Sequence, residues 1–441
     1  MPKEPKAPRA SLSDRGRAES AGAPARQDAL RRHNLALALG EVARRGPISR
    51  AQLANRVGLT KGTVSTLVDT LIDAGLVHEL TPEAGLVGRP GSPLALNPDG
   101  PAALGLDINS DYTAACLVDM TGRVRERVVD RRDNRADGPA PVLDSAAAIA
   151  TRLMRAAHRA GLRVAGVGVG VPGLVDADGL LRVAPNLPGW HDIAVAEMLR
   201  DRLDVTTTVT SPKVGAGARD DVRVVRVDNE ANLAALGELW YGGDTTARDF
   251  VYVSGEIGVG AGIVVRGRLF RGVRGFAGEL GHVTVDPSGP PCGCGSRGCL
   301  EQVAGQDAIL RAAGITATAG TLAGDPDGSA AELTRRARAG DSAAVSALVA
   351  AGRCLGIALS AVLNLVDVPV VVLGGLYAAT APWVRPAVAD ELRARVVANA
   401  WAPVEVVVSK LGSEAAMRGA AGVALRRILD DPAAYLLGLR G

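Results

Sequence analysis

The chain has 441 residues, too many for one ordinary core, so at roughly 100 to 200 residues per domain two to four units are expected. Hydrophobic content of 47% beside 22% charged residues is that of a globular protein, no uninterrupted apolar run nears the ~18 to 20 residues of a bilayer span, and the first 27 residues lack a signal-peptide core, which together predict a cytoplasmic protein that does not enter membranes. The formal charge is only +3, but residues 1–70 hold 13 Lys or Arg against 6 Asp or Glu, leaving +7 there and −4 on the rest.

That asymmetry fits a nucleic-acid-binding appendage on an acidic body, because phosphate neutralisation supplies most non-specific DNA affinity; charge alone leaves a solvated basic tail as the alternative. Residues 1–27 mix Pro, Ala, Ser, Arg and Glu and read as a disordered basic tail. Asp28 to Arg45 then places Leu30, Leu35, Leu37, Leu39 and Val42 in a helix-compatible stretch closed by Gly46 and Pro47. Ser49 with Gln52 forms a capping-box signature for a second helix through Leu53 and Val57. After the turn Gly58-Leu59-Thr60, Thr60 caps a third helix in which Val64, Leu67, Val68 and Leu71 make an apolar stripe and Lys61, Thr63, Ser65 and Thr66 face away.

Three such helices form a helix-turn-helix, whose last helix meets base edges with its amino-terminal end. Leu76 to Leu80 and Leu94 to Leu96 flank a loop with Gly88-Arg89-Pro90-Gly91 and read as a two-stranded wing, with Arg89 aimed at a minor groove. A plain hairpin turn is the alternative for that loop. The winged helix-turn-helix is thus expected over residues 28–97, with Ser49, Lys61, Thr63, Ser65, Thr66 and Arg89 as its DNA-facing set and double-stranded DNA as the partner.

From Ala102 the texture becomes α/β. Ala103 to Ile108, Thr113 to Val118 and, after the Thr121-Gly122 turn, Val124 to Val128 predict strands; a helix over about Val142 to Ala160 and an apolar strand Arg163 to Gly170 follow, and the alternation resumes near Val222 and Phe250. Two lobes are expected over residues 101–441. Gly168 to Gly173 matches GxGxxG literally, but the turn-rich Gly173 to Gly179 follows where a dinucleotide fold needs a helix, so that reading is set aside. The glycines of Gly255 to Gly262 suit a hairpin kink or a phosphate cradle.

Three of the five cysteines fall within eight positions, and with the preceding histidine they give H-x9-C-x-C-x4-C over His282, Cys292, Cys294 and Cys299. Four soft or borderline donors suit a closed tetrahedral Zn²⁺ site of structural type, whereas a disulfide would leave one thiol over and strain a Cys-x-Cys ring. A zinc loop over residues 282–299 would hold Glu279 and Glu301 rigidly beside one cleft.

These stretches resemble the ROK family of repressors, open reading frames and kinases. The resemblance rests on Gly168 to Gly173 with Val175-Asp176, Ala184 to Trp190, Val227 to Asn232, Ala277 to His282 and Cys292 to Glu301. It covers nearly the whole chain, and it implies a two-lobed actin-like (ribonuclease H-like) domain behind a winged helix-turn-helix like that of the family's repressors of sugar catabolism. It further implies that Asn229, Glu230, Glu279, His282 and Glu301 grip sugar hydroxyls, with Gly173 and Asn186 as further contributors. His282 would then serve metal and sugar through its two ring nitrogens.

Departures from the family kinases point away from phosphoryl transfer. Their Asp-x-Gly-Gly-Thr loop is here Asp107-Ile108-Asn109-Ser110-Asp111, a second loop becomes Ser254-Gly255-Glu256, and their Asp base is Glu230. Like charges ~4 Å apart at an effective dielectric near 20 repel by about 4 kcal/mol, roughly a thousandfold in affinity. The expectation is therefore a sugar-responsive transcriptional regulator of carbohydrate metabolism, most simply a repressor, that works as a homodimer or higher oligomer and has no catalytic residue. A sugar kinase with an accessory DNA-binding domain, and a scaffold that binds no sugar, are the alternatives.

Overall fold

A computed structural model describes residues 23–81, 92–203, 224–243, 248–316 and 328–439. It divides into two units, Met1–Ala95 with Leu429–Leu437, and Leu96–Ile428 with Gly438–Gly441. The stretch Leu429–Leu437, expected within the body, thus groups with the first unit, where Asp431 pairs with Arg32.

The first unit is built from α1 (Ala23–Arg45), α2 (Arg50–Val57), α3 (Lys61–Asp73) and a short ladder of β1 (Val77–Glu79) with β2 (Leu94–Leu96). Helix α1 begins five residues before the expected Asp28, so the end of the predicted tail is helical. Of its predicted apolar face Leu35, Leu39 and Val42 are buried, but Leu30 and Leu37 are exposed and Ala38 takes their place in the core. The spacing explains this: 35, 38, 39 and 42 share one helical stripe, while 30 and 37 lie off it. Both predicted caps form. Ser49 and Gln52 make the full capping box, and Thr60 Oγ1 accepts from Thr63 N at 3.2 Å. Arg50 ties the unit together, donating to Asp69 at 2.8 Å and to Glu79 at 3.0 Å.

The second unit contains two five-stranded sheets. The first is made of β3 (Pro101–Ile108), β4 (Tyr112–Asp119), β5 (Val124–Arg131), β6 (Arg163–Val171) and, beyond the three-stranded β7 (Leu174–Val175), β8 (Leu181–Val183) and β9 (His191–Ile193), strand β10 (Val225–Asn229). Helices α4 (Pro139–Arg159) and α5 (Val195–Arg202) cover it, and α6 (Glu230–Tyr241) leaves the end of β10. The second sheet is made of β11 (Phe250–Gly255), β12 (Val259–Val265), β13 (Arg268–Leu269), β14 (Val370–Gly374) and β15 (Glu405–Val408). It is accompanied by α7 (Glu301–Ala304), α8 (Gln306–Ala312), α9 (Ser329–Arg338), α10 (Ser342–Val366), α11 (Gly375–Ala379), α12 (Ala381–Arg395) and α13 (Ala415–Asp430).

The orders β10-β6-β3-β4-β5 and β13-β12-β11-β14-β15 are the same topology twice: an antiparallel meander of three strands, then two strands added parallel to the first. This duplicated arrangement is the two-lobed, actin-like architecture. Each lobe has its own core, one around Leu104, Val169, Leu153 and Trp190 and the other around Val253, Leu348, Leu355 and Tyr377.

The literal GxGxxG stretch has a packing explanation. A methyl group on Gly168 would sit 2.0 Å from the carbonyl oxygen of Ala420, so this glycine lets α13 lie directly on the first sheet. After Gly173 comes β7, not a helix, in keeping with the rejected dinucleotide reading. Among the described residues one helix, α10, is long and apolar enough to cross a bilayer by length and composition. It contains Arg353, which is why no uninterrupted apolar run shows in the sequence. Half of its apolar window is buried inside its lobe, which is how a core helix behaves.

Candidate functional site

A cavity of the second unit has a volume of about 650 Å³, and its wall includes Gly173, Asn186, Asn229, Glu230, Glu279, His282 and Glu301. All seven residues predicted to face a sugar therefore border one space. Strand ends and helix starts position them. Asn229 ends β10 and caps α6, its Oδ1 accepting from Ala231 N at 2.9 Å and Asn232 N at 3.1 Å while its Nδ2 donates to Gly173 O at 3.0 Å. Gly173 holds φ +103, and a methyl group there would lie 2.2 Å from the carbonyl oxygen of Val183. Glu230 is the first residue of α6, Glu279 precedes the turn Leu280–His282, and Glu301 opens α7.

A methyl group on Gly258 would come within 2.8 Å of Glu301 Oε2 and 3.2 Å of Asn186 Nδ2, so the hairpin of Gly255 to Gly262 approaches the wall closely at that glycine. This is the hairpin reading of the glycine-rich stretch. Arg271 pairs with Asp228 at 2.5 Å, joining the segment after β13 to β10 across the two lobes of this unit. Asp228 also accepts from Asn229 N and Asn232 Nδ2.

His282, Cys292, Cys294 and Cys299 converge beside the cavity, with their ligand atoms all within 4.8 Å of one another. Cys292 Sγ is 3.7 Å from His282 Nδ1, and Cys294 Sγ is 3.7 Å from Cys299 Sγ. Sulfurs around a tetrahedral ion at Zn–S distances of about 2.3 Å stand about 3.8 Å apart, so the cluster has room for a metal ion without rearrangement. No cysteine is paired in a disulfide. The loop is shaped by bridges Thr284 to Cys299 and Pro291 to Arg297, and Gly298 at φ +66 packs so tightly on Asp286 that a side chain has no place. Cys292 also donates to Glu301 Oε1 at 3.1 Å, and His282 Nε2 lies 4.0 Å from Glu279 Oε2, so both flanking carboxylates touch this cluster.

The opposite wall is acidic. Glu230 and Glu256 border both the large cavity and a second one of about 20 Å³ that reaches Asp107, Tyr112, Tyr252 and Ser254. Asn109 Nδ2 donates to Glu230 Oε2 at 2.8 Å, and Tyr112 donates its hydroxyl to Asp107 Oδ2 at 2.9 Å. Burial, then the neighbouring carboxylates, pushes Glu256 up to about 8. Burial pushes Asp107 up to about 7 and Asp111 up to about 6, with Arg135 pulling the latter down. Burial and the charges of Asp107 and Glu256 also raise Glu230. Sequence reasoning located Asp107, Asp111 and Glu256 in altered loops but missed Asn109 as the donor that holds Glu230. No local motif marks a contact between residues 121 positions apart.

In the first unit Lys61, Thr63 and Thr66 are exposed on α3, Ser65 is half-buried, and Val64, Leu67, Val68 and Leu71 are buried on the other side. Two of the predicted contact residues are partly engaged within the protein: Ser49 in its capping box and Thr63 Oγ1 with Thr60 Oγ1 at 2.9 Å. Arg89 lies outside the described residues.

Comparison with known proteins matches these two regions separately. The profile described as "ROK family" matches residues 103–215 and 219–427, and that of the "MarR family" matches residues 36–85. The chain is 29% identical over 405 residues to a xylose repressor of Bacillus subtilis, covering 92% of this chain and 98% of that one. It is 31% identical over 333 residues to a glucokinase of Streptomyces coelicolor, covering 73% and 96%. Among solved structures it is similar to a ROK family transcriptional regulator described as a homolog of the E. coli MLC protein, with TM-score 0.71, 26% identity and coverage of 93% and 100%. It is also similar to a ROK family glucokinase from Streptomyces griseus solved with glucose and AMPPNP, with TM-score 0.60, 27% identity and coverage of 74% and 99%.

Proposed function

The chain belongs to the ROK family, and from that premise we propose that it is a sugar-responsive DNA-binding repressor of carbohydrate metabolism genes. The observation that carries the proposal is the union, in one chain, of a helix-turn-helix with an exposed helix start and a cavity of about 650 Å³ walled by carboxylates and amides. Carboxylates accept from sugar hydroxyls, and amides both donate and accept, which is the inventory a polyol needs. Asn186, Asn229, Glu230, Glu279, His282 and Glu301 bind the sugar, with Gly173 opening room for it.

His282, Cys292, Cys294 and Cys299 hold a structural Zn²⁺, a fit supported by the donor types and their spacing. The ion braces the wall. His282 turns Nδ1 toward the cysteines, which leaves Nε2 for the ligand side. Four protein donors complete a tetrahedral shell, so no position remains for a metal-bound water.

Regulation follows from unequal binding. A sugar that favours one relative position of the two lobes shifts the population of that state, and a homodimer then presents its two α3 helices differently to paired half-sites. Lys61, Thr63, Ser65 and Thr66 meet the DNA, with Ser49 at the start of α2 and Arg89 as further contacts. Phosphoryl transfer is not part of this reading: the space beside Glu230 is also bordered by Glu256 and Asp107. A triphosphate would meet like charge there wherever these carboxylates are ionised.

The test is fluorescence anisotropy of the full chain on DNA from its own upstream region, titrated with D-xylose, D-glucose and other aldoses. Specific binding relieved by one of these sugars is expected, with Lys61→Ala weakening DNA binding about tenfold and lowering the salt slope by about one. ATP-dependent phosphorylation of a sugar, or the absence of specific DNA binding, overturns the proposal. Light scattering of the complex reads the oligomeric state.

A further inference from the structure

The charge of the pocket goes beyond what sugar recognition requires. Four carboxylates border the large cavity, those of Glu230, Glu256, Glu279 and Glu301, and among the described residues its lining contains neither Lys nor Arg. The smaller cavity behind Glu230 and Glu256 adds Asp107 and again, among the described residues, has no Lys, Arg or His in its wall. Asp107 is 1% exposed, and while its Oδ2 accepts from Tyr112, its Oδ1 meets no donor. Arg135, the cation that acts on Asp111, is paired with Asp133 and is not in the lining of either cavity.

Protein sites for phosphate esters supply Arg forks, a Lys, or free backbone amides at a helix start. Two helix starts stand in the wall: at α6, Ala231 N and Asn232 N both donate to Asn229 Oδ1, and α7 is one short turn that opens on the carboxyl group of Glu301. Glu230 sits at the first position of α6, so a carboxyl group and not a cation stands at that end. A buried carboxylate oxygen without a donor, by contrast, favours a ligand group that brings a proton, such as a hydroxyl or an ammonium.

From these observations we propose that the pocket selects unphosphorylated sugars, neutral or amino-substituted, and turns away their phosphate esters, with Glu230, Glu256 and Asp107 setting the discrimination. The inference rests on the sugar-binding reading given above. The wall is not uniformly ionised at neutral pH, because Asp107 and Glu256 hold protons up to about 7 and about 8. Glu230 in the same wall is raised by burial and by Asp107, Glu256 and Asp111, and Tyr112 and Tyr252, pushed up by burial, stay neutral. Discrimination therefore sharpens as pH rises through that range.

Calorimetric titration of the full chain at pH 8.5 with D-xylose, xylose 5-phosphate, D-glucose, glucose 6-phosphate and D-glucosamine tests this. The ester of whichever sugar binds should be weaker than its parent by at least about 100-fold, and Glu256→Gln should narrow that ratio by about tenfold. Because the ratio is read within one variant, a general loss of affinity in Glu256→Gln cancels. An ester that binds within about threefold of its parent overturns the charge selection and leaves the sugar site standing. If no sugar, amino sugar or ester binds, the sugar-binding reading fails and takes this inference with it.

Discussion

The two walls of the cavity carry similar numbers of carboxylates but keep them in different ways. On one wall Glu279 and Glu301 belong to a continuous stretch of chain that includes the four metal-type donors, with His282 and the Cys292 thiol beside them. On the other, Glu230 and Glu256 come from separate segments and meet Asp107 and Asp111 there, with Asn109 donating to Glu230 and Tyr112 to Asp107. The first wall is held by local bonding. On the second, burial raises the carboxylates, so they keep their protons to higher pH. Rigidity on one side and titratability on the other are thus built into one pocket.

The strongest way to break this comparison is Cys294→Ser. It removes a donor from the bracing cluster, so bound zinc measured by elemental analysis should fall to near zero and sugar-dependent release of DNA should be lost. Melting should drop by about 5–10 °C, since a structural metal adds its binding energy to folding. The winged helix, being a separate unit, should keep its helicity and its non-specific DNA binding. Retained zinc would remove Cys294 from the ligand set.

Glu256→Gln sharpens the other half. Glu256 keeps its proton up to about 8 in the folded chain, against an ordinary value of 4.5. Folding therefore takes up a proton between those limits, and this group lowers stability as pH rises from about 4.5, with the loss complete above about 8. Gln removes that loss, so the variant should gain on the parent progressively through this window. Discounted for water in the cavity, the gain is about 1–2 kcal/mol at pH 8.5, read as a higher melting temperature. Equal pH profiles for the two proteins would mean that Glu256 ionises freely.

The same contrast explains what the sequence discloses. The metal cluster and its flanking glutamates lie within a short stretch, so residue type and spacing alone locate His282, Cys292, Cys294, Cys299, Glu279 and Glu301 beside one another. Caps are equally local, which is why Ser49 with Gln52 and Thr60 with Thr63 follow directly from four-residue windows. The acidic wall is different, because Asn109 reaches Glu230 only once three strands of the first sheet, β3, β6 and β10, are in parallel register. Helix α1 shows the limit of pattern reading at short range: every leucine on it looked like core, yet Leu30 and Leu37 are exposed because the partner helices cover one stripe only. The sheet topology itself was legible as α/β alternation, but its duplication rests on non-local pairing.

Asn109→Ala tests the donor side of the acidic wall. The Asn109 amide is the donor seen on Glu230, at 2.8 Å, so its removal leaves that carboxylate with less to offset burial. About 1 kcal/mol of stability should be lost, read as a lower melting temperature, and Glu230, already raised by burial and by Asp107 and Glu256, should be raised further. An unchanged melting temperature would mean that this bond adds nothing to stability.

The smallest effect is expected at the link across the lobes. Arg271 is 44% exposed at the side chain, so its ion pair with Asp228 is screened by solvent and adds at most about 1 kcal/mol to stability. Asp228 keeps its bonds to Asn229 N and Asn232 Nδ2 when the arginine is gone, so Arg271→Ala should leave the melting temperature within about 2 °C of the parent. Its consequence is in the balance between lobe positions. A link worth a few tenths of a kcal/mol more in one position than the other changes that equilibrium by about twofold, and sugar affinity with it. Calorimetry of Arg271→Ala with the sugar that releases DNA should therefore show a small shift in Kd without a matching change in stability. A proportional change in both would make Arg271 a general structural contact, leaving the lobe equilibrium to the two walls of the pocket.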